Sequence, residues 1–168
     1  MSILNEGLDW STFAEKASLR DAFRGTPKKI LIPSGDCLCR FITTESEKKG
    51  IRGNEIFLSP WWSDWGTTWS MIAKFRTHRV APREVIRGKL AVTKAFSQDL
   101  DGMVQIILKQ PVYAWEGPAR HQDDAAAGVC YIGGGTQLFL PNLSADRQGL
   151  YSEVAYMHCY TSMDSLMD

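Results

Sequence analysis

Tyr131–Leu143 reads YIGGGTQLFLPNL. Three consecutive glycines stand between two apolar runs, and an uncharged amide, Gln137, sits near the start of the second. Reversing a strand needs only a two-residue turn, so the extra glycines call for a reason. Lacking Cβ atoms, Gly133, Gly134 and Gly135 can reach positive φ and let another backbone or a ligand come close. No Gly-Lys-Ser/Thr follows, which excludes a Walker loop. A strand rather than a helix comes next, which excludes a GxGxxG dinucleotide fingerprint. By themselves the glycines read as a plain loop. The Gln137 amide both donates and accepts hydrogen bonds, which suits a sugar diol or a positioned water, but most glutamines simply face solvent.

Working outward, TQLFLP is one of a series of short runs rich in β-branched and aromatic residues. KKILIP (28–33), CLCRFIT (37–43), EIFLSP (55–60), MVQIILK (103–109), VYAWEG (112–117), GVCYI (128–132) and EVAYMHCY (153–160) complete it. Each is bounded by glycine, proline or polar residues, so roughly seven strands are expected. The turn Pro33–Asp36 separates the first two. LDWSTFAEKASLRDAFRG (8–25) has a helical apolar stripe, with Thr12 and Glu15 at capping-box spacing and Gly25 and Pro27 closing it. REVIRGKLAVTKAF (83–96) is ambiguous between helix and strand. WWSDWGTTWSMIAKF (61–75) places Trp61, Trp65 and Trp69 at i, i+4, i+8, one helical face, which serves packing or forms an aromatic wall for a planar ligand. The fold class that follows is α+β, with helices mostly in the first half. An N-terminal helical extension (1–28) precedes one compact domain (29–162), and the tail TSMDSLMD is expected to be loose.

The chain has 168 residues, enough for a core without cross-links. Nineteen basic and nineteen acidic side chains cancel, which argues against a general nucleic-acid or membrane footprint. No apolar run approaches the length of a membrane span. The opening MSILNEGLDW lacks a basic region followed by an apolar run, so no signal peptide is expected. The expected location is the cytosol, or beyond it after export by a route that needs no cleaved N-terminal signal. The cysteines Cys37, Cys39, Cys130 and Cys159 show no CxxC pair and the histidines no HxxxH pair, so no metal site is expected and the thiols read as reduced and semi-buried. Asp123 and Asp124 in HQDDAAAG read as solvated loop carboxylates. Arg40, inside an apolar run, is either a strand-end arginine paired to a loop carboxylate or a fixed fork for a phosphate.

Taken in order, Arg40 in CRF, the run IFLSP (56–60), RVAP (79–82), GPA (117–119) and GGGTQLFLP (133–141) resemble the TNT-type (necrotizing-toxin) family of NAD glycohydrolases. The likeness spans about residues 36 to 143, and FLSP and GGGTQ are its most specific parts. It implies an ADP-ribosyltransferase-like fold, with split mixed or antiparallel sheets forming a cleft for NAD+. It implies cleavage of the nicotinamide–ribose bond of NAD+ or NADP+, which is a substrate rather than a cofactor. By position, Gln137 would be the catalytic amide and Arg40 would hold the phosphates. Phe57 would lie beside the nicotinamide, with Ser59 on the same strand end and Arg79 as a second phosphate contact. Gly134, Gly135 and Thr136 would line the substrate site. The segment between Arg40 and Phe57 is longer than the pattern, with a charged insertion.

The chemistry suits these residue types. Nicotinamide is a cationic leaving group that needs little acid help. An amide carbonyl near the ribose can stabilise an oxocarbenium-like transition state. Such an enzyme implies a toxin or effector that depletes NAD, and a cognate immunity protein that occludes its cleft. Two rivals remain: a mono-ADP-ribosyltransferase acting on a macromolecule, and a non-catalytic module using Trp61, Trp62 and Trp65 as exposed anchors. The transferases commonly carry a glutamate two residues after the loop glutamine or glutamate. Phe139 stands there, which favours water as the acceptor.

Overall fold

The computed structural model describes residues 2–42, 60–94, 100, 102–143, 150–151 and 155–158. Helices α1 (Trp10–Ala14) and α2 (Ala17–Arg20) come first, then strands β1 (Lys28–Ile32), β2 (Cys37–Ile42) and β3 (Trp61–Asp64). Helices α3 (Trp65–His78) and α4 (Pro82–Leu90) follow. The rest is β4 (Gly102–Ile107), β5 (Val112–Pro118), β6 (Gln122–Asp124), β7 (Val129–Tyr131), β8 (Thr136–Phe139) and β9 (Ala155–His158). This is the expected α+β chain, and the helices among the described residues lie mostly in its first half, the last of them running on to Leu90. Apart from Pro60, the EIFLSP candidate lies outside the described residues.

Among the described residues the main sheet has seven strands in the order β1-β5-β8-β3-β2-β4-β9, all these strand pairs antiparallel. Its centre is thin. Trp61 and Trp62 of β3 pair with Phe139 and Leu138 of β8, whereas Ser63 and Asp64 pair with Cys39 and Leu38 of β2. Two half-sheets therefore meet through four residues, and β3 changes partner halfway along. Strands β6 and β7 form a separate hairpin.

Alternation along the strands sorts the side chains between the two faces. One face carries a continuous core that includes Leu38, Trp62, Val104, Ile106, Ala114 and Leu138. The other face has two coverings. Over β2 and β4, Met71 and Ile72 of α3 and Ile86 of α4 pack on Cys39, Phe41 and Met103. Over β5 and β8, the N-terminal segment sets Trp10, Phe13 and Phe23 against Trp115 and Phe139. The Trp10 ring meets Phe23 and Phe139 edge-on at 5.4 and 5.7 Å, a geometry favoured by the ring quadrupoles. Lys29 anchors this segment by donating to the Glu6 and Leu8 carbonyls, both at 2.6 Å, with its ammonium over the rings of Tyr113 and Trp115.

Three sequence expectations change. The segment 8–25 is two short helices, because Lys16 is extended between them (φ −82°, ψ 117°). Asp9, not Thr12, precedes the first turn, and no side-chain cap forms there. The break lets residues 22–24 run beside residues 118–120, where Phe23 bridges to Ala119. The tryptophan series is also divided. Asp64 accepts from the Thr67 amide at 2.7 Å and the Thr67 hydroxyl at 2.6 Å, so α3 begins only at Trp65 and Trp61 stays in a strand. Lastly, Asp124 is buried rather than solvated. Its carboxylate takes the amides of Lys94 (2.7 Å) and Ala127 (3.1 Å), pinning the β6–β7 hairpin to the chain after α4.

Candidate functional site

Residues 133–135 connect β7 to β8, and their backbone donors are fully engaged. Gly133 and Gly135 donate to the carbonyls of Gly88 (2.9 Å) and Lys89 (2.8 Å) at the end of α4. Terminal helix carbonyls have no partner within the helix, so the loop serves as that helix's C-terminal cap. Gly134 donates to Ala119, whose amide in turn donates to Gly135, each at 2.8 Å. The packing is too close for side chains. A Cβ on Gly133 would lie 2.4 Å from the Ala119 carbonyl oxygen, and one on Gly135 2.7 Å from that of Lys89. Gly133 and Gly134 also have φ of 73° and 86°, the left-handed region glycine tolerates. The glycines thus seat the loop between α4 and the end of β5.

That seating opens a cleft of about 480 Å³ where the half-sheets part. Gly134, Gly135 and Thr136 form one wall. Lys89 of α4 lies beside that wall, and Asp64, Gly66, Thr67, Ser70, Met71 and Lys74, on and before α3, complete the lining. Lys74 and Lys89 are both half-buried. The Lys89 ammonium is held below its ordinary pKa by its hydrogen-bonding approach to Lys74, by the charge of Lys74 and by desolvation.

Gln137 lies one residue beyond this wall, on the Phe139 side of β8. It pairs with Gly117, so the GPA and GGGTQ motifs sit side by side. Its Nε2 donates to the Ala22 carbonyl at 2.8 Å, and that oxygen also accepts the Arg120 amide at 2.9 Å. Its Oε1 is neither buried nor bonded to a described residue. The amide is therefore held by one end. Phe139, two residues on, is buried in the aromatic cluster with Phe23 and Trp115.

The structure thus brings together Gly134, Gly135 and Thr136, with Gln137 adjoining. Arg40 is half-buried on β2 opposite Val104, and its Nη1 is buried. It does not line the cleft. Nor does Arg79, an exposed residue that ends α3 in a left-handed conformation (φ 51°). Phe57 and Ser59 lie outside the described residues. Among the tryptophans proposed as exposed anchors, Trp62 is 2% exposed and Trp61 packs on Phe23 and Phe139. Trp65 is exposed and stacks on exposed Trp69 at 6.0 Å. Sequence reasoning missed Lys74 and Lys89. With α3 started at Trp65, the spacing of Thr67, Ser70 and Lys74 is a polar helical stripe, and that was the available signal.

No family model matches the sequence, and no curated protein matches it. The fold does match solved structures. A chain of the Tne2–Tni2 complex aligns with a TM-score of 0.51 at 15% identity, covering 82% of this chain and 98% of that one. A chain of the complex of Rhs1-CT with its cognate immunity protein RhsI1 aligns with a TM-score of 0.50 at 17% identity, covering 81% and 83%. At these identities the likeness establishes a shared fold: a mixed α+β chain built on an antiparallel sheet with few helices.

Proposed function

We propose that this chain is a glycohydrolase of NAD+ or NADP+ that cleaves the nicotinamide–ribose bond and acts as a toxin checked by a cognate immunity protein. The observation that carries this reading is the dual placement of the GGGTQ loop. Its Gly134–Thr136 portion walls the cleft, while the Gln137 amide, held through Nε2, keeps its carbonyl oxygen available. An ADP-ribosyltransferase-like arrangement agrees with two half-sheets meeting at β3. The toxin context draws support from the fold shared with a complex of Rhs1-CT and a cognate immunity protein.

In this reaction the C–N bond between ribose and nicotinamide breaks, and its electron pair leaves with nicotinamide, neutralising the pyridinium. Water adds to the ribose carbon and releases a proton, giving ADP-ribose. Contacts to the phosphates would hold the ribose in a reactive pose. The Gln137 carbonyl, fixed in advance, would face the developing positive charge and cost little reorganisation. With Phe139 in the core, no carboxylate stands where a transferase would activate a macromolecular acceptor.

The test is nicotinamide release from NAD+ by purified, partner-free protein, with Gln137→Ala and Arg40→Ala alongside. We expect turnover by the wild type and a fall of about 10²–10³ in kcat for Gln137→Ala with the fold intact. No release by folded wild-type protein would overturn the reading. Labelled ADP-ribose on a macromolecule would replace it with the transferase.

A further inference from the structure

Lys74 and Lys89 come from different helices, yet their ammonium groups meet in one cleft. Neither forms an ion pair with a carboxylate among the described residues. The cleft's own acid, Asp64, is committed to capping α3 through both of its oxygens. Two adjacent cations repel, and the repulsion grows as water is excluded. Such a pair is stable at little cost on an open surface, where the chains splay apart, but here both are half-buried and aimed at the same space. The Ser70 and Thr136 hydroxyls line that space as well and can donate to an anion.

We propose that Lys74 and Lys89, with Ser70 and Thr136, form a phosphoryl-binding subsite that takes the pyrophosphate of a dinucleotide. Two point charges from two helices match a group whose charge is spread over two phosphorus centres, and lysine serves such groups as a compact cation. The assignment rests on the glycohydrolase reading for its dinucleotide, but not for its anion. It also separates tasks: the lysines anchor the phosphates, and Gln137 acts one residue beyond the wall.

The experiment uses the full chain and inorganic pyrophosphate. Calorimetric titration and thermal unfolding are run on wild type, Lys74→Met, Lys89→Met and the arginine variant at each position. We expect pyrophosphate to bind the wild type and raise its Tm by several degrees. Each methionine variant should lose at least tenfold in affinity, and each arginine variant should recover part of it. Without pyrophosphate the methionine variants should unfold at or above the wild-type temperature, because a repulsion has been removed. A purely structural role predicts the opposite. For turnover, the methionine variants should raise KM at least tenfold for NAD+ and NADP+ alike, with kcat within about threefold.

No pyrophosphate binding by the wild type, or undiminished binding by both methionine variants, would overturn the subsite. A KM change confined to NADP+ would overturn the pyrophosphate assignment in favour of the 2′-phosphate. Lysine-dependent pyrophosphate binding without nicotinamide release would keep the subsite and remove the glycohydrolase. Nicotinamide release at the wild-type KM in both methionine variants would do the reverse.

Discussion

Gly133 and Gly134 share a left-handed backbone, yet only one of them is crowded. A Cβ at Gly134 would find nothing nearer than the Arg24 guanidinium at 3.8 Å. Gly134→Ala should therefore cost only the backbone strain, about 1 kcal/mol. Gly133→Ala adds a clash with the Ala119 backbone and should cost about 3 kcal/mol or more. Urea unfolding of both variants checks the order, and equal losses would mean the loop can move off α4. A second residue-scale expectation concerns Cys39. Burial, then the neighbouring Cys37, push its thiol up to about 12, from an ordinary 9.0. The folded chain thus holds the Cys39 proton more tightly than the unfolded chain. That contribution is complete below pH 9 and is lost as the pH rises toward 12. At neutral pH, mass-mapped alkylation should modify exposed Cys130 while sparing Cys39 until the protein unfolds.

At the scale of the element, helix ends decide where the site residues point. Asp64 starts α3, so Asp64→Ala should cost about 1 kcal/mol and fray the turn carrying Thr67. Arg79 closes the same helix at φ 51°. Arg79→Gly should raise stability by about 1 kcal/mol, measured as an increase in Tm. A loss instead would mean the Arg79 side chain is needed more than its backbone is strained. The strands were legible in the sequence because β-branched and aromatic runs between glycines and prolines are local signals. KKILI, CLCRFI, VYAWEG and TQLF all form where their composition places them. In sequence the N-terminal segment reads as one helix because its apolar spacing fits a helical stripe. The fold instead requires Phe23 to lie extended beside Ala119. In HQDDAAAG the sequence shows two carboxylates alike, and only the fold decides that Asp124 turns inward.

Across the whole molecule, the N-terminal segment completes the core over β5 and β8. Phe23 is 2% exposed, and a Cβ on Gly117 would stand 2.8 Å from its ring. Phe23→Ala should cost about 3–5 kcal/mol. By loosening the Ala22 carbonyl it should also lower kcat in the nicotinamide assay, even at temperatures where the variant stays folded. A variant folded at the assay temperature with unchanged kcat would show that the Ala22 contact does not position the amide. The candidate site was legible only in part for the same long-range reason. Gly134, Gly135, Thr136 and Gln137 are contiguous and stood out together. The two lysines lie on separate helices, and they become neighbours only once both helices rest on β2 and β4.

The bond between Ala22 and Gln137 spans 115 positions. A ribosome makes the carbonyl early and the amide late, so a nascent chain carries one half of the contact long before the other exists. Strand β8 must emerge and insert between β5 and β3 before the Gln137 amide is held at all. Closing so distant a pair makes folding slow relative to a helical bundle of equal size. A nascent chain that has not yet delivered β8 therefore lacks the contact that holds the proposed catalytic amide, whatever else of the fold has already formed.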